Sequence, residues 1–120
     1  MRNLLLLNIG LLLLILISSC SSKGIAVTIE NKSGHNIRNV VLSYRGGKKE
    51  IKEIKNDKSW SGYVNPNGES HLEIDYIDEQ DIKHHSKIDC YFEKNYQGSL
   101  EIKIGKNGNL SFKDKIKIKY

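Results

Sequence analysis

His71-Leu72-Glu73-Ile74-Asp75-Tyr76 carries the clearest pattern of this 120-residue sequence, because polar and apolar side chains alternate at every position. Successive side chains of a β-strand point to opposite faces of its sheet, so a strand with one buried face shows this period of two. We therefore predict a strand over residues 71–77. The inward residues are Leu72, Ile74 and Tyr76, and the outward residues are His71, Glu73 and Asp75.

Similar alternation recurs from Ile25 to the C-terminus, and turn-forming residues separate the runs. Asn65-Pro66-Asn67-Gly68 combines a proline, which fixes φ, with a glycine, which accepts a positive φ, as tight turns require. Asn107-Gly108 lies between two alternating runs and is a strong short-range signal for a hairpin. Further strands are predicted at residues 25–29, 37–44, 50–54, 60–64, 87–93 and 100–104 and in the run after Gly108, with a polar loop at 78–85.

The number and spacing of these runs indicate the fold class. Seven or eight short strands at roughly ten-residue spacing are typical of an all-β, antiparallel, two-layer β-sandwich. No stretch after the N-terminal segment keeps a 3.6-residue period with caps, so no helix is predicted there. We expect an immunoglobulin-like or a transthyretin-like topology. Glu50 to Ile54 is expected at a sheet edge, because it is charged and Ile54 is out of phase with Ile51.

Lysines line one face of the last run, at Lys115, Lys117 and Lys119. Charged side chains on an edge strand discourage pairing with other chains, and this is our first interpretation. The alternative is a basic stripe that faces anionic lipid headgroups. Charge is also segregated along the chain: residues 20–58 hold nine basic and four acidic side chains, residues 59–101 hold three and nine, and residues 102–120 hold six and one.

The first twenty residues form a separate unit. One positive charge precedes an apolar run from Leu4 to Ile17, which is shorter than the ~20 residues that a membrane-spanning helix needs and fits a secretory signal. Ile17-Ser18-Ser19-Cys20 closes this run and resembles the lipobox of bacterial lipoproteins. The resemblance implies that Cys20 carries acyl chains such as palmitate and that residues 1–19 are a signal peptide that is removed.

The same resemblance predicts where the protein resides. One acyl chain binds membranes only marginally, so two or three chains imply a lasting anchor. Residues 20–24 then form a short tether, which reaches under about 20 Å at ~3.5 Å per residue, before a domain over residues 25–120. Ser21, where an Asp would resemble an inner-membrane retention signal, favours the outer membrane of a Gram-negative cell. In a Gram-positive cell the anchor places the domain on the outer face of the plasma membrane.

Lipidation of Cys20 would leave Cys90 as a single thiol, so no internal disulfide is expected. Cys90 is in phase with Ile88 and Phe92, which predicts a core position. Two further stretches, Val27 to Gly34 and Asn65 to Tyr76, resemble small β-sandwich lipoproteins of unassigned function. They contain no diagnostic motif, so no functional residue follows from that resemblance.

The sequence offers little support for enzymatic chemistry or for a cofactor. It contains neither a phosphate-binding glycine loop nor a Gly-x-Ser-x-Gly nucleophile elbow. Histidines next to carboxylates, at His71 and at His84-His85, are candidate metal ligands. Adjacent histidines on a strand point to opposite faces, so no metal site is predicted. The aromatic residues are in phase with the core rather than interleaved with Lys and Arg, so no nucleic-acid partner is expected.

We therefore predict a protein-binding lipoprotein that is not an enzyme. Its partner would be another envelope protein or a foreign protein, such as the target of an immunity or exclusion factor. The alternatives are a structural, membrane-proximal envelope protein and, more distantly, a metal or small-ligand binder. The predicted partner surface comprises Glu73, Asp75, Asp89, Tyr91 and Glu93.

The acidic residues of this surface bear on how the two strands that carry them can pair. If the strands over 71–77 and 87–93 pair as a hairpin with inward residues facing each other, Asp89 lies opposite Asp75 or Glu73. Either register places like charges together, which is unfavourable by a fraction of a kcal/mol. We expect Lys87, a bound cation or a basic partner to offset this repulsion, unless the two strands belong to different sheets.

Overall fold

A computed structural model describes residues 24–117 of the chain. The predictions about the signal peptide, Cys20, most of the tether and Lys119 lie outside the described residues. The strands are β1 (Ile25–Asn31), β2 (Ile37–Tyr44), β3 (Gly47–Ile54), β4 (Ser59–Val64), β5 (Ser70–Ile77), β6 (Lys83–Phe92), β7 (Gln97–Ile104) and β8 (Leu110–Lys117). A single 3₁₀ turn, Lys106–Gly108, lies between β7 and β8. No helix in residues 24–117 is long and apolar enough to cross a membrane.

The strands form two four-stranded sheets. The first sheet has the order β4-β1-β7-β8 and the second has the order β3-β2-β5-β6. The predicted two-layer β-sandwich is thus confirmed, although β1 and β7 pair in parallel and the first sheet is therefore mixed. Immunoglobulin constant-type sandwiches place their first, second, fourth and fifth strands in one sheet. Here β1 and β2 belong to different sheets, so the strand order differs from the constant-type immunoglobulin arrangement.

The core lies between the two sheets and is built by the inward phase of each strand. Leu72, Ile74 and Tyr76 of β5 are buried as predicted, and so are Ile88 and Phe92 of β6. The largest fully buried side chains of the described residues come from β1, β2, β5, β6 and β7. The two sheets therefore enclose a hydrophobic core between them.

The two isoleucines of β3 are both buried although their spacing is out of phase. The cause lies in β2, where Asn39 has a positive φ of 49° and shifts the alternation by one residue. Ile37 pairs with Ile54 before this irregularity, and Val40 pairs with Ile51 after it. The predicted edge position of β3 is confirmed.

The hairpin between β5 and β6 is tighter than predicted. β6 begins at Lys83, so the loop predicted for residues 78–85 is confined to 78–82, and His84 and His85 lie on the strand. Asp78 organises this loop, because its Oδ1 accepts hydrogen bonds from the backbone N–H groups of Gln80 (2.8 Å) and Ile82 (3.1 Å). Such Asx hydrogen bonds stabilise short turns, and a period-two pattern alone does not reveal them.

The chain enters the sandwich at one end, which we call the tether end. Gly24 has a φ of 82° and lies against Asn65, beside the β4–β5 loop. Ile25 pairs with Gly98, and Gly98 pairs with Ile116, so β8 finishes at the tether end as well. The loops at residues 45–46, 65–69 and 93–96 share this end, and the loops at residues 32–36, 55–58, 78–82 and 105–109 lie at the opposite, loop end.

Candidate interaction surface

The residues of the predicted partner surface lie on or next to the outer face of the second sheet. Glu73 and Asp75 project from β5, Asp89 and Tyr91 project from β6, and Glu93 follows β6 directly. They fall into two groups. The two β5 carboxylates lie in the middle of the face, and the other three residues lie toward the tether end.

The predicted register between β5 and β6 is wrong. Glu73 pairs with Lys87 and Asp75 pairs with His85, so neither carboxylate faces Asp89. The short 78–82 loop fixes this pairing, and an irregularity between Ser70 and Leu72 shifts it near the tether end. Opposite rather than like charges therefore meet across the strands, and the middle of the face is not uniformly acidic.

Tyr91 is the most exposed aromatic side chain of the described part of the chain, with 53% of its surface accessible. Its hydroxyl donates a hydrogen bond of 2.7 Å to Oε1 of Glu93. Its ring makes an edge-to-face contact with Tyr96, with 6.2 Å between the ring centres. The hydrogen bond to the Glu93 carboxylate raises the pKa of Tyr91 above its ordinary value of 10. The ring is thus exposed and held in place.

A shallow groove of about 350 Å³ lies beside Tyr91. Arg45 of the β2–β3 turn and Ser70 both line it, and the backbone N–H of Arg45 donates a hydrogen bond of 2.9 Å to Oγ of Ser70. Side chains of both charge signs surround the groove. Its lining residues are Arg45, Glu69, Ser70, His71, Lys87, Asp89, Cys90 and Tyr91.

Sequence reasoning missed most of this groove. Arg45 lies in the β2–β3 turn and Ser70 lies at the start of β5. The pairing of β2 with β5 in the folded chain brings both residues to the groove beside Tyr91. Lys87 could have been predicted, because the alternation places it on the same outward face as Asp89 and Tyr91. Its predicted role was only that of a counter-ion for the carboxylates.

All four histidines of the chain lie beside carboxylates, and two of these contacts are short. Nδ1 of His85 lies 2.6 Å from Oδ1 of Asp75, and Nε2 of His84 lies 2.8 Å from Oδ2 of Asp78. The hydrogen bond to Asp75 raises the pKa of His85, and the hydrogen bond from His84 lowers the pKa of Asp78. Both short contacts join a histidine of β6 to a carboxylate of β5 or of the loop between the two strands.

A second concavity, of about 290 Å³, lies at the loop end. The ring of His84 stacks on Tyr76 at its floor, with 4.7 Å between the ring centres. Asp78 and Glu79 line it, but their oxygens already accept hydrogen bonds from the protein. No group of three or more His, Cys, Asp or Glu side chains within residues 24–117 is arranged to hold a metal ion.

Cys90 is buried beneath the outer face, which confirms its predicted core position. Burial raises the pKa of its thiol to about 11, because a thiolate would lose its hydration. The thiol therefore remains protonated at neutral pH and is a poor nucleophile.

Comparisons with known proteins identify the fold and nothing further. No family model and no curated protein matches this chain. A solved structure that resembles it is an NMR structure of a protein from Eubacterium rectale, with a TM-score of 0.57 and 10% sequence identity. The match covers 78% of this chain and 90% of that one. At this identity the likeness shows a shared small β-sandwich fold.

Proposed function

We propose that the chain is a membrane-anchored extracytoplasmic lipoprotein whose β-sandwich binds another protein. The lipobox at Ile17-Ser18-Ser19-Cys20 supports the anchor. The observation that carries the binding role is Tyr91, an exposed ring held by Glu93 and Tyr96 beside a groove of mixed charge. The binding surface is the outer face of the second sheet around that groove.

The energetics of protein interfaces favour this use of Tyr91. Tyrosine is enriched among the few interface residues that carry most of the binding free energy. Immobilising a flexible side chain on binding costs about 0.5–1.5 kcal/mol. Tyr91 avoids much of this cost because its hydroxyl and its ring are already held in the free protein.

The surrounding charges would determine which partner fits. Arg45 and Lys87 lie on the same groove as Glu69 and Asp89, so the surface presents a mixed pattern rather than one sign. Complementary charges contribute specificity and association rate more than affinity. We therefore expect a partner with an apolar or aromatic contact for Tyr91 and with charges of both signs around it. Such binding should survive about 0.5 M salt, at which exposed ion pairs are strongly screened.

Site-specific photocrosslinking in the native host tests this proposal. A photoreactive amino acid at His71, beside Tyr91, should give a discrete adduct with one protein. The same residue at Ser61, on the outer face of the first sheet, should not. Tyr91→Ala should weaken the His71 adduct by a factor of about thirty, as the loss of ~2 kcal/mol from a central interface residue implies.

Tyr63 provides a matched control, because it is a comparably exposed tyrosine on the first sheet (44%). Tyr63→Ala should leave the adduct intact. The proposal fails if no adduct forms, or if Tyr91→Ala leaves the adduct unchanged in a chain whose circular dichroism shows it to be folded.

The structural, membrane-proximal role remains the second candidate, since Tyr91 lies toward the tether end and tyrosines are also enriched at membrane interfaces. It makes a different prediction. Under this role, Tyr91→Ala should reduce binding to protein-free lipid vesicles, and the His71 crosslink should yield no protein adduct. Tyr91 would then contact the lipid bilayer rather than a protein partner.

A further inference from the structure

At the tether end of the sandwich, the outer face of the first sheet carries positive charge. Lys115 and Lys117 project from the outer face of β8, because Ile116 between them belongs to the inward phase. Their neighbours across the β7–β8 pair are Ser99 and Gln97, which are uncharged. Lys113, one step farther from the tether end, is paired with Glu101 instead. The two terminal lysines therefore have no compensating charge across the strand pair.

The second sheet carries charges of both signs at the tether end, where the exposed Lys48 lies at the start of β3. Glu69 lines the groove of Tyr91 together with Arg45, and Glu93 accepts the hydrogen bond from the Tyr91 hydroxyl. Lys94, which is exposed in the β6–β7 loop, adds a positive charge between the two sheets. The sheet that carries Lys115 and Lys117 thus offers the more favourable approach for an anion.

The position of the tether brings the positively charged face of the first sheet close to any membrane that holds the chain. Ile25, Gly98 and Ile116 lie side by side on three adjacent strands. Neighbouring strands are about 4.8 Å apart, so the end of β8 is roughly 10 Å from the start of β1. The residues from Cys20 to Gly24 span under about 20 Å even when extended. An acylated Cys20 would therefore keep Lys115 and Lys117 within reach of the headgroups.

We propose that Lys115 and Lys117 contact anionic phospholipid headgroups, so that the outer face of the first sheet lies against the bilayer. This inference rests on the proposed lipid anchor. In this orientation the outer face of the second sheet, with Tyr91 and its groove, faces away from the lipid. It is then open to a protein partner. The lysines of β8 then serve for orientation in addition to protecting a sheet edge.

Vesicle flotation of the non-lipidated protein, residues 21–120, tests the lipid contact without the anchor. This form retains the complete core between the two sheets. It should float with vesicles of phosphatidylglycerol and phosphatidylcholine in about equal amounts, and it should not float with pure phosphatidylcholine. Each lysine near an anionic surface contributes up to about fivefold in partitioning, so Lys115→Gln with Lys117→Gln should weaken binding by up to about twenty-five-fold.

The matched control changes the same charge at the loop end. Lys55 and Lys58 are exposed in the β3–β4 loop, and their double substitution by Gln should leave flotation almost unchanged. Equal losses for the two double variants would mean that only net charge matters and would overturn the proposal. Absence of flotation for the parent protein would also overturn it. Thermal unfolding of each variant verifies that β8 still pairs with β7.

The outcome is separable from that of the proposed function. The crosslink from His71 is measured in the lipidated chain and does not require Lys115 or Lys117. A retained adduct without vesicle binding rejects only the orientation, whereas vesicle binding without an adduct rejects only the protein partner.

Discussion

Asp75 and His85 meet across the β5–β6 pair, with 2.6 Å between Oδ1 of the carboxylate and Nδ1 of the ring. The hydrogen bond favours the charged imidazolium and raises the pKa of His85 above its ordinary value of 6.5. Both side chains lie on the outer face of the second sheet, which also carries Tyr91. The charge of this face therefore responds to pH.

The first prediction concerns this pair. Asp75→Asn should lower the pKa of His85 toward 6.5, because the carboxylate that stabilises the imidazolium is lost. An NMR titration of the ring protons measures the change. Asp89→Asn, which removes a charge elsewhere on β6, is the control and should leave the titration nearly unchanged. An unaltered pKa in Asp75→Asn would contradict the contact.

The same pair predicts a pH dependence of stability. A raised pKa in the folded state stabilises the protein fully below the ordinary pKa of 6.5, and the contribution is lost as pH rises through the raised value. The parent protein should therefore exceed Asp75→Asn in stability more at about pH 5.5 than at about pH 8.5. Urea unfolding at the two pH values measures this, and equal differences would count against it.

The second prediction concerns Asn31, a polar side chain that is fully buried at the end of β1. Its Nδ2 donates to the carbonyls of His35 (2.8 Å) and Ile54 (2.9 Å), and its Oδ1 accepts from Ser33. Asn31→Ala should leave the buried Ile54 carbonyl without this donor and cost about 1–3 kcal/mol of unfolding free energy. Asn109→Ala, at an exposed position, should cost less than ~0.5 kcal/mol. Comparable losses in the two variants would show that the Asn31 hydrogen bonds contribute little.

The period-two pattern predicted the sandwich well, for a physical reason. Each strand has one buried face, so Leu72, Ile74 and Tyr76 were identifiable from their alternation alone. The pairing of β1 with β7 was not identifiable, because a parallel contact between strands some seventy residues apart leaves no local signal. Asn31 was missed as well. Its burial depends on the carbonyls of His35 and Ile54, which only the folded chain brings to its side chain.

The candidate surface was predicted only in part. The outward phase placed Glu73, Asp75, Asp89 and Tyr91 on one face correctly, since that follows from alternation. Their mutual arrangement depends on register, which is fixed by the hydrogen bonds of Asp78 within its loop. Those hydrogen bonds depend on the conformation of the 78–82 loop, which the alternation of polar and apolar residues does not reveal. The expected like-charge contact was consequently wrong, and the groove beside Tyr91 was not foreseen.

The third prediction concerns Cys90. Because the thiol is buried and its pKa is raised to about 11, it should react slowly with a thiol reagent at neutral pH until the protein is denatured. The protein comprising residues 21–120 should also stay free of disulfide-linked dimers without reductant. Cys90→Ala should cost about 1 kcal/mol, whereas Phe92→Ala should cost about 3–5 kcal/mol, as a much larger side chain is lost. Rapid labelling of the native protein would be incompatible with the core position.

The fourth prediction concerns the anchor. The thiol of Cys20 would be the acceptor of the first acyl group, so Cys20→Ser should abolish lipidation and leave the precursor uncleaved by the lipoprotein signal peptidase. Cells grown with a clickable palmitate analogue report the outcome, since the label should follow the parent protein and be absent from the variant. Cys90→Ser is the matched control, because it removes the other cysteine and should retain the label. Label that persists in Cys20→Ser would reject the lipoprotein assignment. The proposed contact of Lys115 and Lys117 with headgroups would then lose the short tether on which it rests.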